Sequence, residues 1–386
     1  MKSMKKLLLV GLVLLASVMV LVGCDTNAGD NSTPTVKPEV LEYTVTFNSN
    51  GGSEVATQTV KNGKTVSNPE NPTKTGFLFD GWYSDSELKN LFDFATPITG
   101  NIALYAKWQE KVTIEVTNKT FATGLAAVMQ KSKSILILTE DISVAETMKI
   151  TSGDFILDLN GHKIEGTEYP VLEIAEAVSL VIQDSGENGC ITPTRTASGM
   201  PLGVRNKGSL TLTSGSIEVN GEDSVGIENQ GDFRMTGGRI IVNESSPDFL
   251  IQVTGVNNNS GTLWVSGGTI AVTGSGGTRG GCDGIWCGTL YLSGNPSITG
   301  TSNISSTDKS DSSFILVKPI TLVGKLSNTY TVKLSELDVG DAVVIGGEGY
   351  LLSENDVNNF ELLNKNMELV LDKNKNALVL KETSTN

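Results

Sequence analysis

Few residues of this 386-residue chain have the types and spacing that chemistry requires. Three aspartates, Asp158, Asp184 and Asp283, and one cation, Arg234, are the candidates for work on a polymer. Paired carboxylates cleave glycosidic bonds, and a basic residue beside grouped acids drives elimination. Cleavage by an acid pair needs the two carboxyls about 5 to 10 Å apart. These three stand in separate stretches, where solvated or turn-capping side chains are the competing reading. His162 is the only histidine, in the turn Asn160-Gly161-His162, so no histidine pair exists to hold zinc or to activate a nucleophile. The four cysteines, Cys24, Cys190, Cys282 and Cys287, lack the paired spacing of a zinc finger, and Cys282 and Cys287 could close a small loop or remain two thiols. No metal and no cofactor is expected from this set.

Aromatic side chains offer contact rather than turnover. Trp264 and Tyr291 take equivalent places in successive copies of an internal repeat, and Trp286 lies on the strand preceding Tyr291. Exposed in a row about 4.8 Å apart, such rings would make a flat platform for sugar faces or for a partner protein's anchor residues. The alternative is a small satellite core, with residues 273–284 or the C-terminal segment folded over them.

The elements that position these residues come from the repeat itself. Its clearest copies are GVRNKGSLTLTSGSIEV from Gly203, GIENQGDFRMTGGRIIV from Gly226, GVNNNSGTLWVSGGTIAV from Gly255 and GIWCGTLYLSGNPSI from Gly284. Aligned, they give one apolar column of Leu157, Leu180, Leu210, Phe233, Leu263 and Leu290, and a partner two residues on of Leu159, Ile182, Leu212, Met235, Val265 and Leu292. A third column reads Ile164, Ile191, Ile217, Ile240, Ile270 and Ile298, and Ile135 with Ile137 extends the first toward the N-terminus. Short strands at a period near 27 residues, punctuated by glycine, asparagine and serine, describe coils that bury their inward side chains on one another. In this alignment the outward positions between the first two columns are Asp158, Val181, Thr211, Arg234, Trp264 and Tyr291, a row without clustered acids. The isoleucine strand offers only Glu218 beside Ile241, Ala271 and Thr299. Asn206, Asn229 and Asn258 share one turn position and read as a hydrogen-bonded ladder, with Arg205 and Glu228 as a surface ion pair beside it. The coil length and the phrases LDLNGHKI and SLVIQDSG resemble right-handed parallel β-helices of the pectin-lyase type over about Ile135 to Ile298. The resemblance implies the architecture but not an activity, since that fold carries lyases, hydrolases and inert adhesins.

Ahead of the coils, Phe121, Leu125, Val128 and Met129 fall on one helical face, which predicts a short cap helix over 121–131 with Gly124 as its weak point. Before it, Tyr43, Val45 and Phe47 alternate with threonine, the chain turns at Asn48-Ser49-Asn50-Gly51-Gly52, and a last strand carries Ile102, Leu104, Ala106 and Trp108. Ten of the 22 aromatic residues lie in this span, enough for a core of its own. VTFNSNGG, PTKTGFLFDGWY and LYAKW resemble the internalin-type B repeat, also called the Listeria-Bacteroides repeat. That resemblance implies a compact β-grasp-like spacer or interaction module without catalytic residues.

The N-terminus sets the address. Lys2, Lys5 and Lys6 precede an apolar run from Leu7 to Leu21, closed by Leu21-Val22-Gly23-Cys24-Asp25. It resembles a bacterial lipoprotein signal, which implies cleavage before Cys24 and acylation of its sulfur, a durable anchor once two chains are attached. An uncleaved membrane helix is the alternative. Without the three leader lysines, 26 basic residues face 43 acidic ones, a formal charge of −17 that disfavours nucleic acid as a partner.

The expected protein is all-β: signal peptide 1–23, tether 24–40, B-repeat module 41–110, capped parallel β-helix 111–313, and an irregular β continuation and cap 314–386. The expected role is a non-catalytic, lipid-anchored surface protein binding a glycan or a host or neighbour-cell protein. A polysaccharide lyase or hydrolase, and a passive envelope spacer, are the alternatives.

Overall fold

The computed structural model describes residues 41–194, 200–244, 253–274, 282–302, 312–316, 318–334, 337–363 and 366–383. Cys24, the leader and the tether therefore lie outside the described residues, as does most of the 273–284 segment.

Four strands form the first module: β1 (Glu42–Asn48), β2 (Gln58–Lys61), β3 (Phe77–Tyr83) and β4 (Ile102–Glu110), in the order β2-β1-β4-β3 with β1 and β4 parallel. The alternation read in β1 is what places Val45 and Phe47 inward and the threonines outward. Connecting segments rather than a helix cover this sheet, and Val66 and Ile98 from those segments join Trp82, Leu104 and Ala106 in a core separate from the rest of the molecule.

β5 (Val112–Val116) opens a β-solenoid of about seven turns, after which α1 (Phe121–Val128) lies across its first coil. α1 stops at Val128, three residues short of the predicted end. Gly124 is a point of close packing rather than of weakness: a Cβ there would stand 2.3 Å from Val116 Cγ1 and 3.1 Å from Leu136 Cδ1. Each regular coil supplies two strands to a large sheet and one to a seven-stranded sheet running from Ile142–Val144 to Ser297–Ser302. All pairings between these coils are parallel, and one continuous apolar core threads them.

The isoleucine column stands as read, with Ile142 added before Ile164. The other two columns hold from Leu180 onward, but the first coils slip by two residues. Phe155, not Leu157, pairs with Leu180; Leu157 pairs with Ile182; and Leu136, rather than Ile135 or Ile137, pairs with Leu157. The cause is turn length. Successive coils advance by 30 residues from Leu180 to Leu210 and by 23 from there to Phe233, so a fixed period misplaces the outer copies. A two-residue slip keeps every side chain on its face, so the apolar alternation cannot reveal it.

Beyond Ser302 the seven-stranded sheet ends, while Ser312–Leu316, Ile320–Leu326 and Tyr330–Leu334 continue the parallel stack. The chain then closes with antiparallel strands Ala342–Gly346, Ala377–Glu382 and Met367–Asp372.

Candidate functional site

The corrected register gives the outward column Ile156, Val181, Thr211, Arg234, Trp264, Tyr291 and Thr321, one residue per coil. Trp264 and Tyr291 are half-buried and stack with ring centroids 3.8 Å apart and planes 7° from parallel. The Arg234 guanidinium carbon lies 4.9 Å from the Trp264 ring on the other side. Both faces of Trp264 are thus taken, one by a cation and one by a ring. The geometry differs from a flat platform. Parallel in-register strands bring the same position of adjacent coils within stacking distance, so the rings lie on each other and present edges outward. A cleft of about 450 Å³ runs alongside, lined by Ser209, Asp232, Thr262 and the stack, with the buried Leu210 and Phe233 beneath. Arg234, a catalytic candidate by type, belongs instead to this stack. The signal that would have placed it there is its in-register position one coil before Trp264.

Trp286 does not join the stack. It stands on the other strand of its coil, in a column with Glu173, Arg205, Glu228 and Asn257, and its indole N–H is buried without a partner.

The acids are held by structure. Asp158 leaves the outward row for a position opposite Gln183, a consequence of the register slip. Its carboxylate accepts hydrogen bonds from the backbone of Asn160 at 3.0 Å and Ser185 at 2.9 Å, and from Gln183 Nε2 at 2.7 Å. Asp184 accepts from the backbone of Gly161 at 2.6 Å and Gly189 at 2.8 Å. The two therefore tie neighbouring turns of successive coils, a juxtaposition that their separation of 26 residues conceals. Asp283 is fully buried opposite Thr254 on a different sheet edge. Arg234 meets none of the three among the printed contacts of the stack and the turns. His162 sits beside Asp141, Nδ1 to Oδ1 3.4 Å.

Cys282 and Cys287 lie on one regularly paired stretch of the strand Cys282–Gly294. Five extended residues separate their Cα atoms by about 16 Å, more than twice a disulfide's reach. Cys190 is buried, and burial pushes its thiol up to about 11, with the Glu218 charge adding to the effect. Among the described residues no group of three or more His, Cys, Asp or Glu side chains converges as metal ligands. The asparagine ladder is present: Asn206 Nδ2 donates to Asn229 Oδ1 at 2.7 Å, and Asn229 Nδ2 to Asn258 Oδ1 at 2.6 Å.

Residues 43–107 match the family model of the Listeria-Bacteroides repeat domain, so the first module is a copy of that repeat. The chain is 44% identical over 77 residues to a protein of Evansella cellulosilytica named "Putative Gly-rich membrane protein", and 41% identical over 81 residues to a second from that organism named "Putative membrane protein". These matches take in 20% and 21% of this chain but 9% and 12% of those proteins, so the chain spans about a tenth of the length of the curated relatives it matches.

Proposed function

We propose that this protein is lipid-anchored at Cys24 in a bacterial cell envelope and binds a glycan or a protein of a host or neighbouring cell without turning it over. The address rests on the cationic and apolar leader ending in Leu21-Val22-Gly23-Cys24, and the names of the repeat's relatives agree with an envelope location. The observation that carries binding is the Arg234–Trp264–Tyr291 stack along an open cleft, a cluster of contact-forming side chains on an otherwise strongly acidic chain. With both Trp264 faces covered, a ligand would meet ring edges, the outer guanidinium N–H groups and the Ser209 and Thr262 hydroxyls. Non-catalysis is supported by Asp158 and Asp184, whose oxygens are spent on turn amides rather than aimed at a cleft wall.

The test is a glycan-array and extracellular-matrix binding screen of the mature chain carrying Cys24→Ser, with the Trp264→Ala/Tyr291→Ala double variant in parallel. Binding that disappears in a folded double variant supports the reading. Absence of binding on every surface favours a spacer, and turnover of a polysaccharide abolished by Asp158→Ala or Asp184→Ala would replace it with an enzyme.

A further inference from the structure

The passage from the repeat domain to the solenoid leaves no free residue. Glu110, the last of β4, pairs with Phe77; the Lys111 amide donates to the Gly76 carbonyl at 2.9 Å; and Val112, the next residue, already pairs with Ser134 of the first coil. One sheet thus hands its strand directly to the other.

A second observation lies across the same junction. Asp80 on β3 forms an ion pair with Lys133 of the first coil and a second with Lys107 on β4, Oδ2 to Nζ 3.4 Å. Both ends of this bridge sit at irregularities. β3 changes register against β4 between Phe79 and Trp82, the interval that contains Asp80. The first coil changes register between Ser132 and Ser134, the interval that contains Lys133, whose φ of +53° is a left-handed value a lysine rarely adopts. A bulge re-aims a side chain out of the alternating row at a cost in local pairing. Here two separate sheets each bulge at the residue that reaches the other. The side chains are four-fifths and about seven-tenths covered, so the bridge is screened less than an open surface pair. Burial works to raise the Asp80 carboxyl, and hydrogen bonds and charge from Lys133 and Lys107 more than offset it, holding it below its ordinary value.

We infer that the repeat domain and the solenoid form one rigid body, joined by an unbroken strand and clamped through Asp80 between Lys107 and Lys133. The repeat is then an end fitting that fixes the direction of the solenoid's outward faces, not a bead on a hinge.

The experiment is pulsed electron paramagnetic resonance on the mature chain with Cys24→Ser. Nitroxides are carried on ketone-bearing unnatural residues at Lys89 and Glu146, with a pair at Glu146 and Lys318 as the reference within the solenoid. The proposal expects a Lys89–Glu146 distance distribution as narrow as the reference, broadened by Asp80→Ala, by Lys133→Ala, and most by a Gly-Ser-Gly-Ser insertion between Glu110 and Lys111. Lys133→Ala leaves the repeat's own sheet intact and so stands in if Asp80→Ala unfolds it. A wild-type distribution as broad as that of the insertion variant overturns the rigid body. Narrow distributions in both single variants overturn the clamp.

Discussion

In the repeat domain the interior is aromatic and closes on a point, whereas in the solenoid it is aliphatic and runs along a line. Trp82 meets Phe47 and Phe79 edge to face at 5.0 and 5.4 Å, and Phe79 meets Trp108 at 5.6 Å, each ring tilted because each approaches from a different strand or loop. The solenoid repeats isoleucine at one position through Ile217, Ile240, Ile270 and Ile298, all held at coil spacing. Identical branched side chains fit that spacing without changing rotamer from coil to coil. A core closed on a point has a keystone. A core along a line has nearest neighbours.

Trp82→Ala should therefore have the largest effect, about 3–5 kcal/mol, and confine it to the repeat domain. Calorimetry should show the repeat's transition lost while that of the solenoid stays. Trp82→Phe should recover much of the loss, because the Trp82 indole N–H is buried without an acceptor and its removal relieves a desolvation cost of about 1–3 kcal/mol. Equal losses from Ala and Phe would mean that the ring's size, not its polarity, sets the balance.

Ile217→Ala tests the other half of the comparison. The loss should be about 2–5 kcal/mol, with raised amide exchange in the coils of Ile191 and Ile240 and little beyond them. Uniform exchange throughout the solenoid would show that the line unfolds as a single unit instead.

How much of this was legible in the sequence follows from the same contrast. The isoleucine column could be read because inward positions must be apolar and the turns following it conserve its phase over six coils. The first coils could not be phased, because inward Phe155 and Leu157 differ by two residues from the pattern that Leu157 and Leu159 satisfy equally well. The outward row was placed correctly from Val181 to Tyr291, yet its geometry was not. Sequence says that Trp264 and Tyr291 face outward; only the parallel register says that they lie on each other with Arg234 beneath. The Asp158 and Asp184 turns were invisible for a different reason, since their partners are backbone amides that every residue carries. The Asp80–Lys133 bridge, 53 residues apart between two modules, had no local signal at all.

Neighbouring residues on one strand offer the finest version of the comparison. Arg205 and Asn206 take part in the same stack one position apart, Arg205 beside Glu228 and Asn206 beside Asn229, but on opposite faces. Asn229 is buried and donates to Asn258 Oδ1, to the Gly231 carbonyl and to the Thr262 carbonyl. Asn229→Ala leaves those carbonyls and the Asn206 amide short of partners inside a dry interior, a loss of about 1–3 kcal/mol. Urea denaturation should register it at any salt concentration.

Arg205→Ala should come last in the order. Its Nε donates to Glu228 Oε2 at 2.8 Å, a shorter contact than many in the interior, but both side chains remain about a third exposed. Water already solvates each charge there, and fixing two long side chains costs entropy that the pair's attraction must offset. Glu228 also keeps a hydrogen bond from Gln230 Nε2 at 2.6 Å, so removing the arginine does not strand its carboxylate. The expected change is under about 1 kcal/mol and should shrink further in added salt, which screens an exposed pair. Measured beside Asn229→Ala in low and high salt, a large and salt-insensitive loss at Arg205 would mean that the outward column is covered, and that the difference between the two faces of this strand is smaller than their exposures imply.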